Sequence, residues 1–227
     1  MTLLLQVLLA VAYALLAHGA SAWADDRLAA WALLALVLMM LLPGLAARRA
    51  WAWVALPVLA YGCWATWRAG HAALPLLLVP VAFVALIAWV FGRSLASPRG
   101  ALITRIVSAM EAVPVDGVAP ELRRYTRRLT AAWAWLLAGL AVANLVLALI
   151  ATPDGLLASL GMEPPVSITR SQWSWFANLL NYGIVGGFFV GEYYLRKRWF
   201  PARYRSFGDF LQRMAALGPS FWSGFLR

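Results

Sequence analysis

The chain has 227 residues, of which 63% are hydrophobic and only 12% are charged, with a mean hydropathy of +0.76. This composition excludes an ordinary soluble domain, because apolar runs and their short connections take up nearly the whole chain. The net charge of +10 lies beside the apolar runs and not on a soluble basic face. We therefore expect attraction to anionic membrane lipid and no binding to nucleic acid.

Six apolar runs follow one another, and each has about the length that crosses a ~30 Å hydrocarbon core as a helix. The sequence therefore predicts one all-α integral membrane domain, residues 1–227, with six transmembrane helices. The predicted spans are residues 3–20, 28–47, 50–67, 72–92, 131–151 and 173–195.

Basic residues fall almost entirely on one side of this arrangement. When alternate connections are assigned to opposite sides, sixteen of the nineteen Lys and Arg residues share one side. Because short cytoplasmic loops retain Lys and Arg, that side is predicted to be the cytoplasm. Both termini, the loop 93–130 and the tail 196–227 are then cytoplasmic, and the predicted location is a bacterial inner membrane. Trp residues lie near the ends of the runs, at the headgroup level that indole prefers.

The first run has a second interpretation as a signal peptide, because Ala20-Ser21-Ala22 resembles a cleavage site. The residues before the run carry no positive charge, which favours an uncleaved first helix. Cleavage would leave five spans in the same orientation. The first four runs are predicted to be lipid-facing scaffold, with their prolines tolerated inside the helices.

The loop 93–130 is the longest connection and is predicted to contain short helices. Residues 101–113 carry an apolar stripe, which is typical of an amphipathic helix that lies flat on the membrane or packs beneath the bundle. Pro120 suits the first turn of another helix, which we expect to continue into the fifth span. The tail has a similar stripe from Phe207, and Ser206 with Asp209 can cap it, which predicts a second amphipathic cytoplasmic helix.

Four arginines directly before the fifth span form the first candidate site. At helical spacing Arg123 lies one turn from Arg127, and Arg124 lies one turn from Arg128, so the four would cover one broad face around Tyr125. Guanidinium groups bind phosphate through two hydrogen bonds, which predicts a site for a lipid phosphate or a phosphorylated carrier. The alternative is a charge cluster that only sets topology.

Polar residues of the sixth span form a second candidate, an intramembrane cluster. A carboxylate near hydrocarbon is costly, so Glu192 is a functional candidate, although Arg196 one turn later offers it a structural ion pair. Gly183, Gly187 and Gly191 recur every four residues and would let another helix approach, within the chain or in a homo-oligomer. The cluster comprises Asn144, expected to hydrogen-bond across to the sixth span, with Asn178, Asn181, Tyr182, Glu192, Tyr193 and Arg196.

The sequence is poor in catalytic groups, and it leads us to assign no catalytic residue, metal ligand or cofactor. The two histidines, His18 and His71, belong to the outer side, so no cytoplasmic Ser–His or Cys–His pair is expected. The single cysteine excludes an intrachain disulfide. No carboxylate cluster for Mg²⁺, nucleotide-binding glycine motif or transporter-like internal repeat is visible. These patterns disfavour an enzyme and an exporter.

Short motifs between residues 91 and 201 carry a family resemblance. They are Phe91-Gly92-Arg93-Ser94-Leu95, Leu102-Ile103-Thr104-Arg105, Arg124-Tyr125-Thr126-Arg127 with Thr130 and Trp133, Trp175-Phe176-Ala177-Asn178, and Glu192-Tyr193. They resemble an uncharacterised family of bacterial inner-membrane proteins encoded in gene clusters for aryl polyene and xanthomonadin-type pigments. The resemblance implies a pathway and supplies no mechanism.

The resemblance and the basic face together predict an accessory membrane protein. Its cytoplasmic face would dock an acidic acyl carrier protein or cytosolic biosynthetic enzymes by charge complementarity. One alternative is a small membrane enzyme or lipid-handling protein that binds a phosphate-bearing lipid at the inner leaflet. A component of a polyene or lipid exporter is the third interpretation.

Overall fold

The computed structural model describes residues 2–153, 155–169 and 181–199, together with the single positions 172, 175, 176, 212 and 216. Within these residues a short 3₁₀ turn, Val115–Gly117, precedes the longest helix. The two-residue strands β1, Ala151–Thr152, and β2, Ile168–Thr169, pair in parallel. The helices are α1 (Thr2–Trp23), α2 (Asp26–Ala46), α3 (Ala50–Arg68), α4 (Ala73–Leu95), α5 (Leu102–Met110), α6 (Pro120–Ile150), α7 (Leu156–Ser159) and α8 (Asn181–Trp199).

Four of the described helices, α1, α2, α4 and α6, are long and apolar enough to cross a membrane. This result fits an all-α membrane protein. Helix α3 has 19 residues, but its Trp and Tyr side chains lower its hydropathy and it is not among the four. The predicted sixth span starts in residues 173–180, which lie mostly outside the described residues, and α8 contains the rest of it. The predicted helix of the tail also lies outside them.

The chain divides into two compact units, and the first consists of Met1–Pro80 and Val146–Arg170. Helix α2 packs against both α1 and α3. The carboxylate of Asp25 caps α2 by accepting a hydrogen bond from the Arg27 backbone N–H at 2.7 Å. Gly44 sits where α3 begins, and a Cβ added there would lie 2.9 Å from the Cβ of Ala52. Glycine is therefore required for the close approach of α2 and α3.

The second unit consists of Val81–Leu145 and Ser171–Arg227. Its apolar cluster joins α5 to the first turns of α6 through Val107, Val118 and Leu122, each at most 3% exposed. The amphipathic helix predicted within residues 101–113 is confirmed as α5, and Leu102 and Val107 of its stripe are buried, while the other members of the stripe are partly exposed. Contact with α6 therefore accounts for part of the stripe, and the two predicted placements relative to a membrane stay predictions.

Buried hydroxyl groups connect α4, α5 and α6 within this second unit. The Ser94 hydroxyl accepts a hydrogen bond from the backbone N–H of Leu102 at 3.0 Å, which fixes the turn between α4 and α5. The hydroxyl oxygens of Thr104 and Thr126 lie 2.8 Å apart. The hydroxyl of Thr130 accepts from the backbone N–H of Ile103 at 3.3 Å. Because such groups are costly to bury without partners, this network sets the position of α5 on α6.

Candidate functional site

The four arginines before the fifth span do not share one face, as the sequence analysis expected, but separate into two pairs. Arg123 Nη1 lies 3.3 Å from Asp116 Oδ1 in an exposed ion pair. Arg127 Nη1 donates to the carbonyl oxygen of Leu95 at 2.9 Å, where α4 ends. Residues at i and i+4 lie on the same side of a helix. This pair therefore faces the neighbouring loop and α4, while Arg124 and Arg128 face elsewhere.

Arg124 and Arg128 line an open groove of about 800 Å³ between α6 and α8, which we call the α6–α8 groove. Both side chains are exposed, and neither makes a hydrogen bond or ion pair with any other described residue. The volume falls within the range of ligand pockets, which is about 300–1,000 Å³. The lining residues are Glu121, Arg124, Tyr125, Arg128, Leu129, Ala132, Phe188, Gly191, Glu192, Leu195 and Trp199.

A partly buried polar triad, Tyr125, Glu192 and Arg196, brings the two candidate clusters together, and Tyr125 and Glu192 line the groove. The hydroxyl of Tyr125 donates to Glu192 Oε1 at 3.1 Å, and Arg196 Nε lies 3.3 Å from the same oxygen. Glu192 and Arg196 are 9% and 8% exposed, so the two charges neutralise each other inside the protein. The structural ion pair that the sequence analysis weighed against a functional carboxylate is therefore present.

Tyr125 is held in its protonated form by its surroundings. It precedes the predicted span 131–151, and burial is the main cause that raises the pKa of its hydroxyl above the ordinary value. The negative charge of Glu192 raises this pKa further. A tyrosine whose pKa is raised stays neutral at physiological pH and keeps its proton for the hydrogen bond to Glu192.

Aromatic contacts hold α8 against α6 on either side of the triad. The ring of Trp133 meets the ring of Phe188 edge-on with centroids 4.7 Å apart, and it lies 6.2 Å from the ring of Phe91 on α4. Tyr125 meets Trp199 edge-on at 5.6 Å. Edge-to-face pairs at these distances stabilise packing beyond their area burial. The groove is therefore supported at both ends of its α8 wall.

Among the described residues of the predicted polar cluster, Asn144, Tyr182 and Tyr193 do not line the groove. The Asn144 side chain donates to the carbonyl oxygen of Leu140, in its own helix, at 2.8 Å, whereas the sequence analysis expected a bond across to the sixth span. Tyr182 is exposed, and Tyr193 stacks edge-on with Tyr194 at 5.8 Å. Asn178 and the side chain of Asn181 lie outside the described residues.

The glycines of α8 do not mediate close helix packing within the described chain. A Cβ added at Gly183, Gly187 or Gly191 would meet no described atom within 4 Å. This absence of neighbours disfavours the approach of another described helix of the same chain, and the alternative of a homo-oligomer contact stays a prediction. Gly191 instead lines the groove, where the missing side chain leaves room.

Several groove residues were missed by the sequence analysis, although a signal for them exists. On α6, Glu121, Tyr125, Leu129 and Ala132 recur every three or four residues. Phe188, Gly191, Leu195 and Trp199 do the same on α8. This spacing marks one face of each helix. No local signal indicates that these two faces meet, because the pair that joins them, Tyr125 and Glu192, is separated by 67 residues.

A second groove lies within the first unit, between α2 and α3. It has a volume of about 450 Å³ and is lined largely by Trp31, Trp64 and Trp67, with Arg27 and Cys63 also present. The guanidinium carbon of Arg68 lies 5.9 Å from the ring centroid of Trp64. The sequence analysis assigned these tryptophans to the headgroup level, which remains a sufficient explanation of them.

The chemistry of the α6–α8 groove suits binding more than reaction. Two guanidinium groups lie near the start of α6, and Leu129, Phe188 and Leu195 supply apolar lining. The Glu192 carboxylate is already neutralised by Arg196. Such a surface complements an amphiphile that has an anionic head and an apolar chain. Comparisons with protein families, curated proteins and solved structures found no match to this chain.

Proposed function

We propose that this chain is a six-span bacterial inner-membrane protein with both termini in the cytoplasm, and that its α6–α8 groove binds a phosphate-bearing lipid at the inner leaflet. The observation that carries the proposal is the placement of Arg124 and Arg128 on a groove of about 800 Å³ whose other walls are largely apolar. Of the predicted alternatives, the lipid-handling protein is the one that this geometry favours.

The charge arrangement supports a specific site over general attraction to the membrane. Arg123 and Arg127 are occupied by Asp116 and by the Leu95 carbonyl, whereas Arg124 and Arg128 present their guanidinium groups one helical turn apart. Two guanidinium groups at this spacing provide parallel donors to one phosphate. General attraction of a basic residue to anionic lipid contributes only about 1 kcal/mol.

The accessory role in an aryl polyene-type pathway is part of the proposal and rests on the resemblance. The motif residues Thr104, Thr126 and Thr130 join α5 to α6, and Trp133 packs against Phe188 of α8. The motifs therefore coincide with the residues that support the groove. A pathway that builds apolar chains on phosphorylated carriers has use for such a site. Loss of pigment absorbance on deleting the gene, restored by the wild type and not by Arg124→Gln/Arg128→Gln, tests this role.

Lipid binding is tested with the purified full chain in nanodiscs of neutral lipid. Native mass spectrometry after titration with phosphatidate measures how much phosphate lipid stays bound. We expect Arg124→Gln/Arg128→Gln to weaken retention at least ~10-fold, because each charge-assisted hydrogen bond contributes about 1.5–3 kcal/mol. The matched control is Arg48→Gln/Arg49→Gln, which removes the same charge from another cytoplasmic loop. If both variants retain equally less phosphate lipid, general electrostatic attraction explains the binding and the specific site is contradicted.

The six-span topology has its own test, because Cys63 is the only cysteine. In a Cys63→Ala background, single cysteines at Ser97 and His71 are exposed to an impermeant maleimide on intact spheroplasts. We expect labelling at position 71 and protection at position 97 until the membrane is opened. Labelling of both positions on intact spheroplasts would contradict the proposed orientation.

A second candidate function, docking of an acyl carrier protein, is favoured by the exposure of Arg124 and Arg128. Acidic partners meet exposed arginines quickly, and their binding weakens with salt. Co-purification of the carrier protein with wild type and its loss with Arg124→Gln/Arg128→Gln would support docking. Recovery of lipid without any carrier protein would favour the lipid-binding function.

A further inference from the structure

We infer that the α6–α8 groove selects an amphiphile with a single acyl chain that ends in a phosphate monoester. This inference rests on the proposed phosphate-lipid site and specifies the class of its ligand. It follows from three properties of the groove, which are its volume, its charge and the pairing of its buried polar groups.

The groove volume matches one acyl chain with its head and not two. At ~30 Å³ for each water-sized group, the 800 Å³ groove holds roughly 27 such groups. A lysophosphatidate with a 16-carbon chain has roughly 27 non-hydrogen atoms, whereas the phosphatidate with two such chains has roughly 44, counted at the same ~30 Å³ each. The second chain of a diacyl lipid would therefore have to lie outside the groove.

The charge of the groove favours a monoester over a zwitterionic diester. A phosphate monoester carries about −1.5 to −2 charges at pH 7 and offers three acceptor oxygens. Arg124 and Arg128 supply two guanidinium groups to the groove. Among the described lining residues, Glu121 is the one other charged group that is not in an ion pair. The rim therefore keeps a net positive charge. A choline group in the same position would bring a cation toward these guanidinium groups, which disfavours it.

The polar triad lets an apolar chain lie along the groove wall. Tyr125 and Arg196 both bond to Glu192 Oε1. An acyl chain that lies along this wall therefore does not have to displace water from an isolated buried charge. Phe188 and Leu195 continue the wall along α8. The geometry thus gives the ligand one direction, with its phosphate at Arg124 and Arg128 and its chain toward Phe188.

Three probes with 16-carbon chains separate the components of this inference. Lysophosphatidate, phosphatidate and lysophosphatidylcholine are titrated separately against the full chain in the same detergent, with bound fractions read by native mass spectrometry. We expect lysophosphatidate to bind at least ~10-fold more tightly than either of the others, and Arg124→Gln/Arg128→Gln to remove this preference.

A groove-filling variant tests the chain position without touching the arginines. A side chain at Gly191 meets no described atom within 4 Å, and Gly191 lines the groove, so Gly191→Leu is expected to occupy the path of the chain. We expect at least ~10-fold weaker binding of lysophosphatidate. Gly187→Leu is the matched control, because Gly187 is equally open but does not line the groove. Equal binding by both variants would overturn the chain position.

The outcomes distinguish this inference from the proposed function. Equal, arginine-dependent binding of lysophosphatidate and phosphatidate would leave the phosphate-lipid site standing and overturn the single-chain selection. Equal binding of lysophosphatidylcholine would overturn recognition of the monoester. If neither phosphate lipid binds in a way that depends on Arg124 and Arg128, the proposed function itself fails.

Discussion

The hydroxyl pair of Thr104 and Thr126 allows a quantitative test of what holds α5 on α6. Both side chains are 2% exposed, and their oxygens lie 2.8 Å apart. The Thr126 hydroxyl also lies 2.9 Å from the Leu122 carbonyl oxygen, to which it can donate. Among the described residues Thr126 is the only hydrogen-bond partner of the Thr104 side chain. Removing the Thr126 hydroxyl therefore takes away the hydrogen-bond partner of Thr104, whereas removing the Thr104 hydroxyl leaves Thr126 bonded to the Leu122 carbonyl.

Substitution by Val removes each hydroxyl while nearly keeping the shape. Thr104→Val deletes a donor but leaves Thr126 bonded to its own helix, so we expect a loss of about 1 kcal/mol in the free energy of unfolding. Thr126→Val leaves the buried Thr104 hydroxyl without its acceptor, and we expect a loss of about 2 kcal/mol. The double variant removes both groups and should cost less than Thr126→Val alone, because no polar group is left unsatisfied.

Thermal unfolding of the purified chain in one detergent measures these differences. For a chain of this size 1 kcal/mol shifts Tm by roughly 2–4 °C, so Thr126→Val should lower Tm by roughly 4–8 °C. Thr66→Val is the control, because the Thr66 hydroxyl bonds the Cys63 carbonyl within its own helix. Strictly additive losses, or a larger loss for Thr104→Val than for Thr126→Val, would refute the reasoning.

Three further predictions concern the ionised groups around the groove. Glu192→Leu removes the ion pair to the buried Arg196 and should lower the free energy of unfolding by about 3–5 kcal/mol, and Glu192→Leu/Arg196→Leu should recover much of this loss. No recovery in the thermal unfolding of the double variant would contradict this prediction. Arg127→Gln removes the hydrogen bond to the Leu95 carbonyl and should cost about 1 kcal/mol without weakening phosphate-lipid binding. An equal loss of lipid affinity in Arg127→Gln and Arg124→Gln would count against the division of the arginines. Glu121→Gln removes a carboxylate from the rim and should tighten lysophosphatidate binding by a few-fold at low salt, with the gain disappearing at high salt. Unchanged affinity in native mass spectrometry at low salt would show that Glu121 does not act on the head group.

The helix positions were largely predictable from sequence, for a simple physical reason. The bilayer selects apolar runs of one length, and α1 to α4 agree with the predicted runs to within three residues at each end. Pro120 also begins α6 as predicted, since proline at the first helical position loses no hydrogen bond. Whether a segment forms a helix depends on its own apolar run and end residues, and these can be read directly from the sequence.

The candidate site was less predictable, because it depends on which helix faces meet. Spacing showed that Arg123 pairs along the helix with Arg127, and Arg124 with Arg128. It did not show that Asp116 and the Leu95 carbonyl engage one pair. The hydrogen bond from Tyr125 to Glu192 links residues that the sequence analysis assigned to separate clusters. The buried hydroxyls of Thr104 and Thr126 were also not anticipated, because Thr104 lies outside the apolar stripe of α5 and no local pattern shows that it meets Thr126.

The separations along the chain imply an order in which the groove comes into being during synthesis. The hydrogen bonds that hold α4, α5 and the start of α6 together join residues 8 to 32 positions apart. Tyr125 and Glu192 are 67 positions apart, which at about 5–20 residues per second corresponds to a delay of roughly 3–13 s. The wall that carries the arginines is therefore complete before the ribosome has made the helix that closes the groove. During that interval the groove lacks its α8 wall, with Phe188, Gly191 and Leu195, so a ligand that needs both walls binds only after α8 has been synthesised.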